Sequence, residues 1–407
     1  MKKAVLTLVM LLTAVCIRAQ LAAVSGTVMD EDTKKPLAAA SVTTGSTTVV
    51  TNEDGFFTIK SSEPIMTLTV SHLGYLSQSI SIDGQQSGQL KIRLKPAAVQ
   101  LKEVLVFSKN PRELVTSAIS RIPDNYSRTP ELFSCFYREK VMKRQNYISV
   151  AEGVIDIYKS SYKYFVSRDR AAIRKGRRLL SPTESDTLSV KVLGGPVTAL
   201  ELDVVKNAEF LLNEKELNNY ELRMDNPTTI ADRPQFVVSI SPMVTLPYAL
   251  YFGKLYIDQE TLAFTRIELE LDMSDRDKAT QLMLVKKPKG LRFRPKEMSC
   301  IVDYRTGADG ITRISYLRNT FRFNCDWKRR LFATSFTAVC EMAVTSNTNT
   351  DVQPIRGRDS FDQRDAFFDK VDFFRDSTFW QDYNIIEPTE SLDKAINKLL
   401  KKHLRNH

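Results

Sequence analysis

The 407-residue chain has only three histidines, His72, His403 and His407, and that scarcity limits the reactions it can run. A zinc peptidase needs about three protein ligands, usually with paired His on one motif, and a general base. No His-Glu-x-x-His or His-x-x-Glu spacing occurs, and two of the three histidines sit near the C-terminus. A Ser-His-Asp triad is disfavoured for the same reason, and there is no Gly-x-Ser-x-Gly elbow. Phosphate-cradling glycine loops are missing as well. Ser160 to Lys163 and Ser391 to Lys394 have Ser-x-x-Lys spacing, but the partner Lys-Thr-Gly is absent and such pairs arise by chance. Paired carboxylates of the glycosidase kind remain open, because their separation is not written in a sequence. The turns Asp30-Glu31-Asp32 and Asn52-Glu53-Asp54-Gly55 offer Ca²⁺-type oxygens, yet Asp and Asn are equally good turn formers. The expectation is a protein with no catalytic residues, no cofactor and no metal.

One charge cluster stands out: Arg168, Arg170, Arg174, Lys175, Arg177 and Arg178, opposed by Asp169 alone. It reads as a solvated loop, or as a patch for phosphate or lipid A groups, since arginine presents a planar bidentate fork. Residues 1–19 have the pattern of an export signal. Lys2 and Lys3 precede an apolar run from Ala4 to Ile17, and Ala19 offers a small residue before Gln20. The run is shorter than the roughly 20 residues of a membrane span. Cys16 lacks the Leu and small-residue pattern of a lipoprotein site. Losing that segment lowers the formal charge from +10 to about +7. Nucleic acid is not expected as a partner of an exported chain; acidic envelope surfaces fit better. No later stretch approaches a membrane-spanning length. Cys135, Cys300, Cys325 and Cys340 permit disulfides by number, but none forms a Cys-x-x-Cys pair. A core this large needs no staples, so buried thiols are expected.

Residues 20–96 alternate like the strands of a small sandwich, at Val24 to Val28, Phe57 to Ile59, Leu68 to Val70, Ile80 to Ile82 and Leu90 to Leu94. Gly55 is the expected positive-φ turn residue, with Phe56 or Phe57 entering the core. The order Val24-Ser25-Gly26-Thr27-Val28-Met29-Asp30, Pro36 to Val42, Thr51 to Phe57 and Gly74-Tyr75 resembles the carboxypeptidase-like regulatory domain. That resemblance implies a transthyretin-like β-sandwich, found on secreted and outer-membrane proteins of Gram-negative bacteria, with no chemistry of its own.

Residues 97–130 form a linker strand and helix. Leu101 to Val106 resembles the strand that follows this module in TonB-dependent receptors, but about 300 remaining residues cannot build their barrel of about 22 strands. Asn110, Pro111 and Glu113 mark a capped helix start; Leu114, Val115, Ala118, Ile119 and Ile122 form its apolar stripe, and Pro123 stops it. The stretch through Tyr126, Pro130 and Phe136-Tyr137-Arg138-Glu139 resembles one that follows this module in other exported proteins.

Residues 131–346 read as an antiparallel β domain. The expected strands are Tyr147 to Tyr158, Gln235 to Ile240, Gly253 to Ile257, Thr265 to Leu271, Ala279 to Val285, Lys296 to Tyr304, Ile311 to Phe323 and Leu331 to Met342, with a hairpin turn at Gly307 to Gly310. Gly253 to Asp258 followed by Thr265 to Leu269 resembles periplasmic lipoprotein-carrier proteins, which implies a half-barrel that shelters acyl chains. Residues 347–407 begin as a polar loop to Asp359. Phe361, Phe367, Phe368, Phe373, Phe374, Phe379, Trp380 and Tyr383 follow, expected to cover an edge or face of the sheet. A terminal helix capped near Ser391 carries Leu392, Ala395, Ile396, Leu399, Leu400 and Leu404 on one stripe, expected to dock on the protein's own sheet although a basic amphipathic helix also suits a membrane surface.

The fold expected is mainly β: a transthyretin-like sandwich, then a large curved antiparallel sheet or half-barrel with a few helices. The function expected is a non-catalytic cell-envelope protein, exported to the periplasm or the periplasmic side of the outer membrane. It would act as a docking or binding platform for an envelope protein or outer-membrane lipid. The alternative is a lipid or lipoprotein carrier that uses the concave face of the large β domain.

Overall fold

The computed structural model describes residues 21–82, 88–97, 110–163, 168–181, 190–207, 210–327, 333–373 and 379–405. The expected signal segment, the strand at 101–106 and Phe374 lie outside them.

Alternation builds the N-terminal sandwich. Its strands are β1 (Ala22–Asp30), β2 (Ser41–Thr44), β3 (Thr47–Val50), β4 (Phe56–Ser61), β5 (Thr67–Ser71), β6 (Gln78–Ser81) and β7 (Leu90–Leu94). They form two sheets, ordered β4-β1-β7 and β3-β2-β5-β6. Val28, Val42, Phe57, Ile59, Leu68 and Val70 meet between them, each on the inward side of the strand period. Gly55 holds φ +72°, and a Cβ there would lie 2.5 Å from the Val28 carbonyl oxygen, so the turn requires glycine. The β2–β3 hairpin is an element beyond those expected, and its two-residue Gly45-Ser46 turn between β-branched runs was a usable signal.

The third and largest sheet is curved and open. Its strands are β8 (Glu131–Lys143), β9 (Asn146–Lys159), β10 (Arg170–Leu180), β11 (Tyr220–Ile230), β12 (Arg233–Pro242), β13 (Tyr251–Asp258), β14 (Phe264–Leu271), β15 (Leu291–Thr306), β16 (Thr312–Trp327), β17 (Thr334–Thr348) and the short β18 (Asp372–Phe373). β11 to β17 form one meander; β17 then returns beside β8, and β9, β10 and β18 complete the other end.

Both faces of this sheet are covered. Phe133, Cys135 and Tyr137 of β8 point into the main core, with α1 (Pro111–Ser120), α2 (Ile122–Asn125), α3 (Gly195–Glu201), α4 (Glu214–Leu217), Phe361 and Phe367. Phe136, Val154, Tyr316 and Ala343 face the other way, against Val50 of the sandwich and Trp380, Ile385 and Ile386. The C-terminal aromatics therefore line both faces. α1 starts as expected: the Asn110 side chain accepts from the Arg112 and Glu113 amides, while Leu114, Val115 and Ala118 are buried. Cys135, Cys300, Cys325 and Cys340 are buried and free.

Three local expectations need correction. Ala279 to Val285 is not a strand, because Asp275 caps α5 (Arg276–Met283) and accepts from the Asp277 and Lys278 amides, with Ala279 buried beside Leu271. The 346–359 loop is shorter than expected, since β17 runs to Thr348 and a 3₁₀ turn spans Gly357–Asp359. The last helix, α6 (Glu390–Arg405), is capped by Thr389, whose Oγ1 accepts from the Leu392 amide at 3.1 Å. Its Leu392, Ile396 and Leu399 dock on Val150 and Leu179 of the protein's own sheet.

Gly153 of β9 and Gly176 of β10 are register partners and leave a bare spot on which Phe367 and Val371 seat. A Cβ at Gly153 would lie 2.7 Å from Phe367 Cζ and 3.0 Å from the Lys175 carbonyl oxygen. Gly153→Ala is expected to cost about 1–3 kcal/mol in denaturant unfolding, as overpacking does. Gly88→Ala, with nothing within 4 Å, is the control expected to change little.

Candidate functional site between the modules

The sheet face turned toward the sandwich carries charge in register. Arg318 of β16 stands opposite Glu341 of β17, Glu341 opposite Arg138 of β8, Arg138 opposite Glu152 of β9, and Glu152 opposite Arg177 of β10. The signs alternate across five neighbouring strands, the arrangement that cross-strand pairing favours. Arg138 Nε donates to Glu152 at 2.8 Å and its Nη2 to the Ile386 carbonyl at 2.6 Å. Arg177 and Trp380 Nε1 donate to the other Glu152 oxygen at 3.1 and 3.2 Å. Burial alone would raise the Glu152 and Glu341 carboxyls; the cations beside them hold both below the ordinary value.

The sandwich joins this row at Glu53. Its carboxylate lies 3.2 Å from Lys140 and 2.7 Å from Arg318, and both cations also reach Glu341 at 3.4 Å. Asp54 accepts from the Glu390 amide at 2.8 Å, and Asn52 donates to the Pro388 carbonyl at 2.9 Å. Lys60 donates to the carbonyls of Trp380 and Tyr383, while Asn384 bridges the Lys60 backbone. The acidic turns are thus occupied by protein donors: Asp30 likewise accepts from the Asp32 and Thr33 amides and from Tyr75.

Docked in this way, the two modules leave a cleft of about 830 Å³ between them. One wall is the outer face of the β3-β2-β5-β6 sheet, which presents Ser41, Thr43, Thr48, Thr69, Ser71 and Ser79. The opposite wall carries Arg233, Arg266, Asp303, Arg305 and Arg313. Arg233 forks onto Asp258 at 2.6 and 2.8 Å. Arg266 holds Glu268 at 2.6 Å and Asp303 at 2.8 Å. Arg313 is held by Glu131 and Asp309, each at 2.7 Å. His72 sits at the rim with both ring nitrogens 3.1 Å from carbonyl oxygens, of Leu73 and Ala38, and burial lowers its pKa. Sequence reading missed this site, because the β2–β3 turn signal was not used and the pairing of distant strands leaves no local pattern.

Elsewhere, two buried groups are enclosed and bonded in this way. Lys159 lies between Asp169 at 2.5 Å and Asp203 at 2.7 Å, and Asp203 also accepts from Tyr162 at 2.6 Å and Tyr304 at 2.8 Å. Glu139 accepts from Tyr137 at 2.8 Å, and burial pushes it up to about 8, with Asp369 adding to the rise. No group of three or more His, Cys, Asp or Glu side chains among the described residues is arranged to hold a metal ion.

The arginine cluster lies mainly on a strand, not in a loop. Arg170, Arg174, Lys175, Arg177 and Arg178 all belong to β10, and Arg168 is exposed just before it. The solvated-loop reading fails because their partners come from distant sequence. Arg170 donates to the Ile355 carbonyl at 2.6 Å, and Arg174 forks onto Asp156 of β9. Lys175 donates to the Phe379 carbonyl at 2.9 Å and sits over the Phe379 ring. Arg177 lies over Trp380, while Arg178 reaches the Phe368 carbonyl at 2.8 Å. The structure divides them between the two faces of the sheet.

Residues 24–106 match the CarboxypepD_reg-like domain family. That match covers the sandwich and extends into the segment after it. No curated protein sequence matches the chain. Among solved structures, a domain described as an outer-membrane lipoprotein-sorting protein from Vibrio parahaemolyticus aligns over 60% of this chain and 95% of its own, at 9% identity and TM-score 0.25. A DUF1329 family protein from Desulfovibrio piger aligns over 60% and 96%, at 9% identity and TM-score 0.25. MucB aligns over 56% and 92%, at 13% identity and TM-score 0.17. Scores this low carry no argument about ligand or mechanism. No helix among the described residues is long and apolar enough to cross a membrane.

Two outcomes test this account of the buried charges. Glu341→Gln strips a 5%-exposed carboxylate from three cations and is expected to cost about 3–5 kcal/mol. Glu53→Gln, at 42% exposure, is expected to cost under about 1 kcal/mol. Urea unfolding of both variants checks the order, and equal costs would contradict it. For Glu139, the folded protein keeps its proton up to about 8, whereas the unfolded chain releases it near 4.5. Its contribution to stability is therefore full below 4.5 and lost as pH rises toward 8. Glu139→Gln is expected to raise the melting temperature at pH 8 relative to the parent and to leave it nearly unchanged at pH 4.5, measured by scanning calorimetry.

Proposed function

We propose that this chain is a non-catalytic, exported cell-envelope protein that binds an envelope component in the cleft between its two modules. The observation that carries the reading is the hydrogen-bonded and ion-paired docking of sandwich and large sheet around an open space of about 830 Å³, lined from both sides and carrying hydroxyls and arginines. Spaces of this size at domain junctions are where ligands commonly bind. The buried carboxylates are tied to cations or hydroxyls, which supports a binding role over a reaction. Export is supported by the N-terminal pattern of Lys2, Lys3 and the Ala4 to Ile17 run, which favours the periplasm or the periplasmic side of the outer membrane. An envelope protein or an outer-membrane lipid headgroup are the partners that fit.

The carrier alternative needs an apolar cavity on a face of the large sheet. Leu200, Val205, Leu212, Phe361 and Phe367 fill one face, and the sandwich with residues 379–389 covers the other. That packing supports the platform over the carrier. A photo-crosslinking residue placed at Thr69 or Ser79, on the cleft wall, is expected to yield adducts in intact cells well above one at Gln281 on α5. Equal yields would reject the cleft as the binding face. Acyl lipid found by native mass spectrometry on protein recovered from its own periplasm would favour the carrier.

A further inference from the structure

The cleft contains a cation without a carboxylate. Arg233, Arg266 and Arg313 each have at least one acid within 3 Å. Arg305 has none within ion-pair distance among the described residues, and its Nη1 donates to the hydroxyl of Thr43 on β2 at 2.8 Å. Burial, and then the neighbouring Arg313, lower its pKa, as expected of a guanidinium short of negative charge. The remaining acid of the lining, Asp232, is exposed in the β11–β12 turn and accepts from the Ser77 amide at 2.8 Å. Ser77 Oγ, in the same lining, is buried with no hydrogen-bond partner. The cleft thus offers an uncompensated guanidinium and a wall of serine and threonine side chains.

We infer that the cleft takes a ligand bearing one anionic oxygen group, a phosphate or a carboxylate, on a hydroxylated body, with Arg305 as the anion-binding residue. This rests on the cleft being the binding face. A guanidinium suits either group because its parallel N–H donors match two oxygens at once. The Ser and Thr wall donates and accepts, so it matches hydroxyls. Thr43 holds the Arg305 side chain across the module boundary, which prepares the fork before the ligand arrives.

The test is calorimetric titration of the full mature chain with inorganic phosphate, with glucuronate and with uncharged glucose. Phosphate or glucuronate is expected to bind more tightly than glucose, and whichever binds better identifies the anionic group. Arg305→Gln is expected to weaken that binding at least tenfold, Arg305→Lys to restore part of it, and Thr43→Val to weaken it severalfold with the charge still present. Thr43→Val keeps the question answerable if Arg305→Gln does not fold. Two results would overturn the inference: neither anion binds the parent protein, or a folded Arg305→Gln binds them as well as the parent does. If Arg305→Gln leaves anion binding intact while Thr69 still crosslinks, the anion assignment fails and the cleft survives as binding face. If the Thr69 and Ser79 adducts do not exceed those of Gln281, the cleft itself fails.

Discussion

The alternating row Arg318, Glu341, Arg138, Glu152 and Arg177 decides how the rest of the molecule is arranged. Five charges on one sheet face are costly to bury, and removing one partner of such a set exposes the others to the full cost. The row tolerates burial because each member faces the opposite sign on the next strand. It also fixes what covers it. The sandwich supplies Glu53 at the Arg318 end, and the C-terminal segment supplies Trp380 and the Ile386 carbonyl at the other. Register is specified as well, since sliding one strand by a single residue would turn its charge to the opposite face.

The same constraint changes what the sandwich module does. A small β-sandwich joined to a larger sheet could be held by its linker alone. Here Glu53, Asp54, Asn52 and Lys60 all bond to the large domain or to the segment that crosses it. The module is a wall of the binding space, and its hydroxyl face is as much part of the site as the arginines opposite. Its chemistry lies in its outward-facing strands, where β-branched threonines satisfy strand preference and also supply donors.

Local periodicity made much of the fold legible. The sandwich strands other than β2 and β3, the Asn110 cap, the Gly55 turn and most strands of the large sheet follow from alternation and turn residues that act within a few positions. The failures have two causes, contacts between distant segments and a local cap that outweighed a strand pattern. Arg170 to Arg178 looked like a solvated run because the groups that neutralise or cover them, Glu152, Asp156, Phe368 and Phe379, are separated from them by between about 20 and 200 residues. Ala279 to Val285 had a plausible strand pattern, and a single cap at Asp275 outweighed it. The cleft itself was invisible, since no segment contains it.

Composition of the cleft bears on what sort of binding is physically reasonable there. A shelter for acyl chains gains its energy from apolar area removed from water, at roughly 25 cal/mol per Å². The hydroxyls and forked arginines of the cleft gain nothing in that way, and their donors would lose water without replacement if hydrocarbon entered. The same groups in contact with a charged, hydroxylated ligand exchange water for bonds of similar strength and add the attraction of Arg305. Because Arg233, Arg266 and Arg313 are already neutralised by their own acids, that attraction is confined to one point of the cleft. The site is therefore built to orient a ligand by a single anionic group.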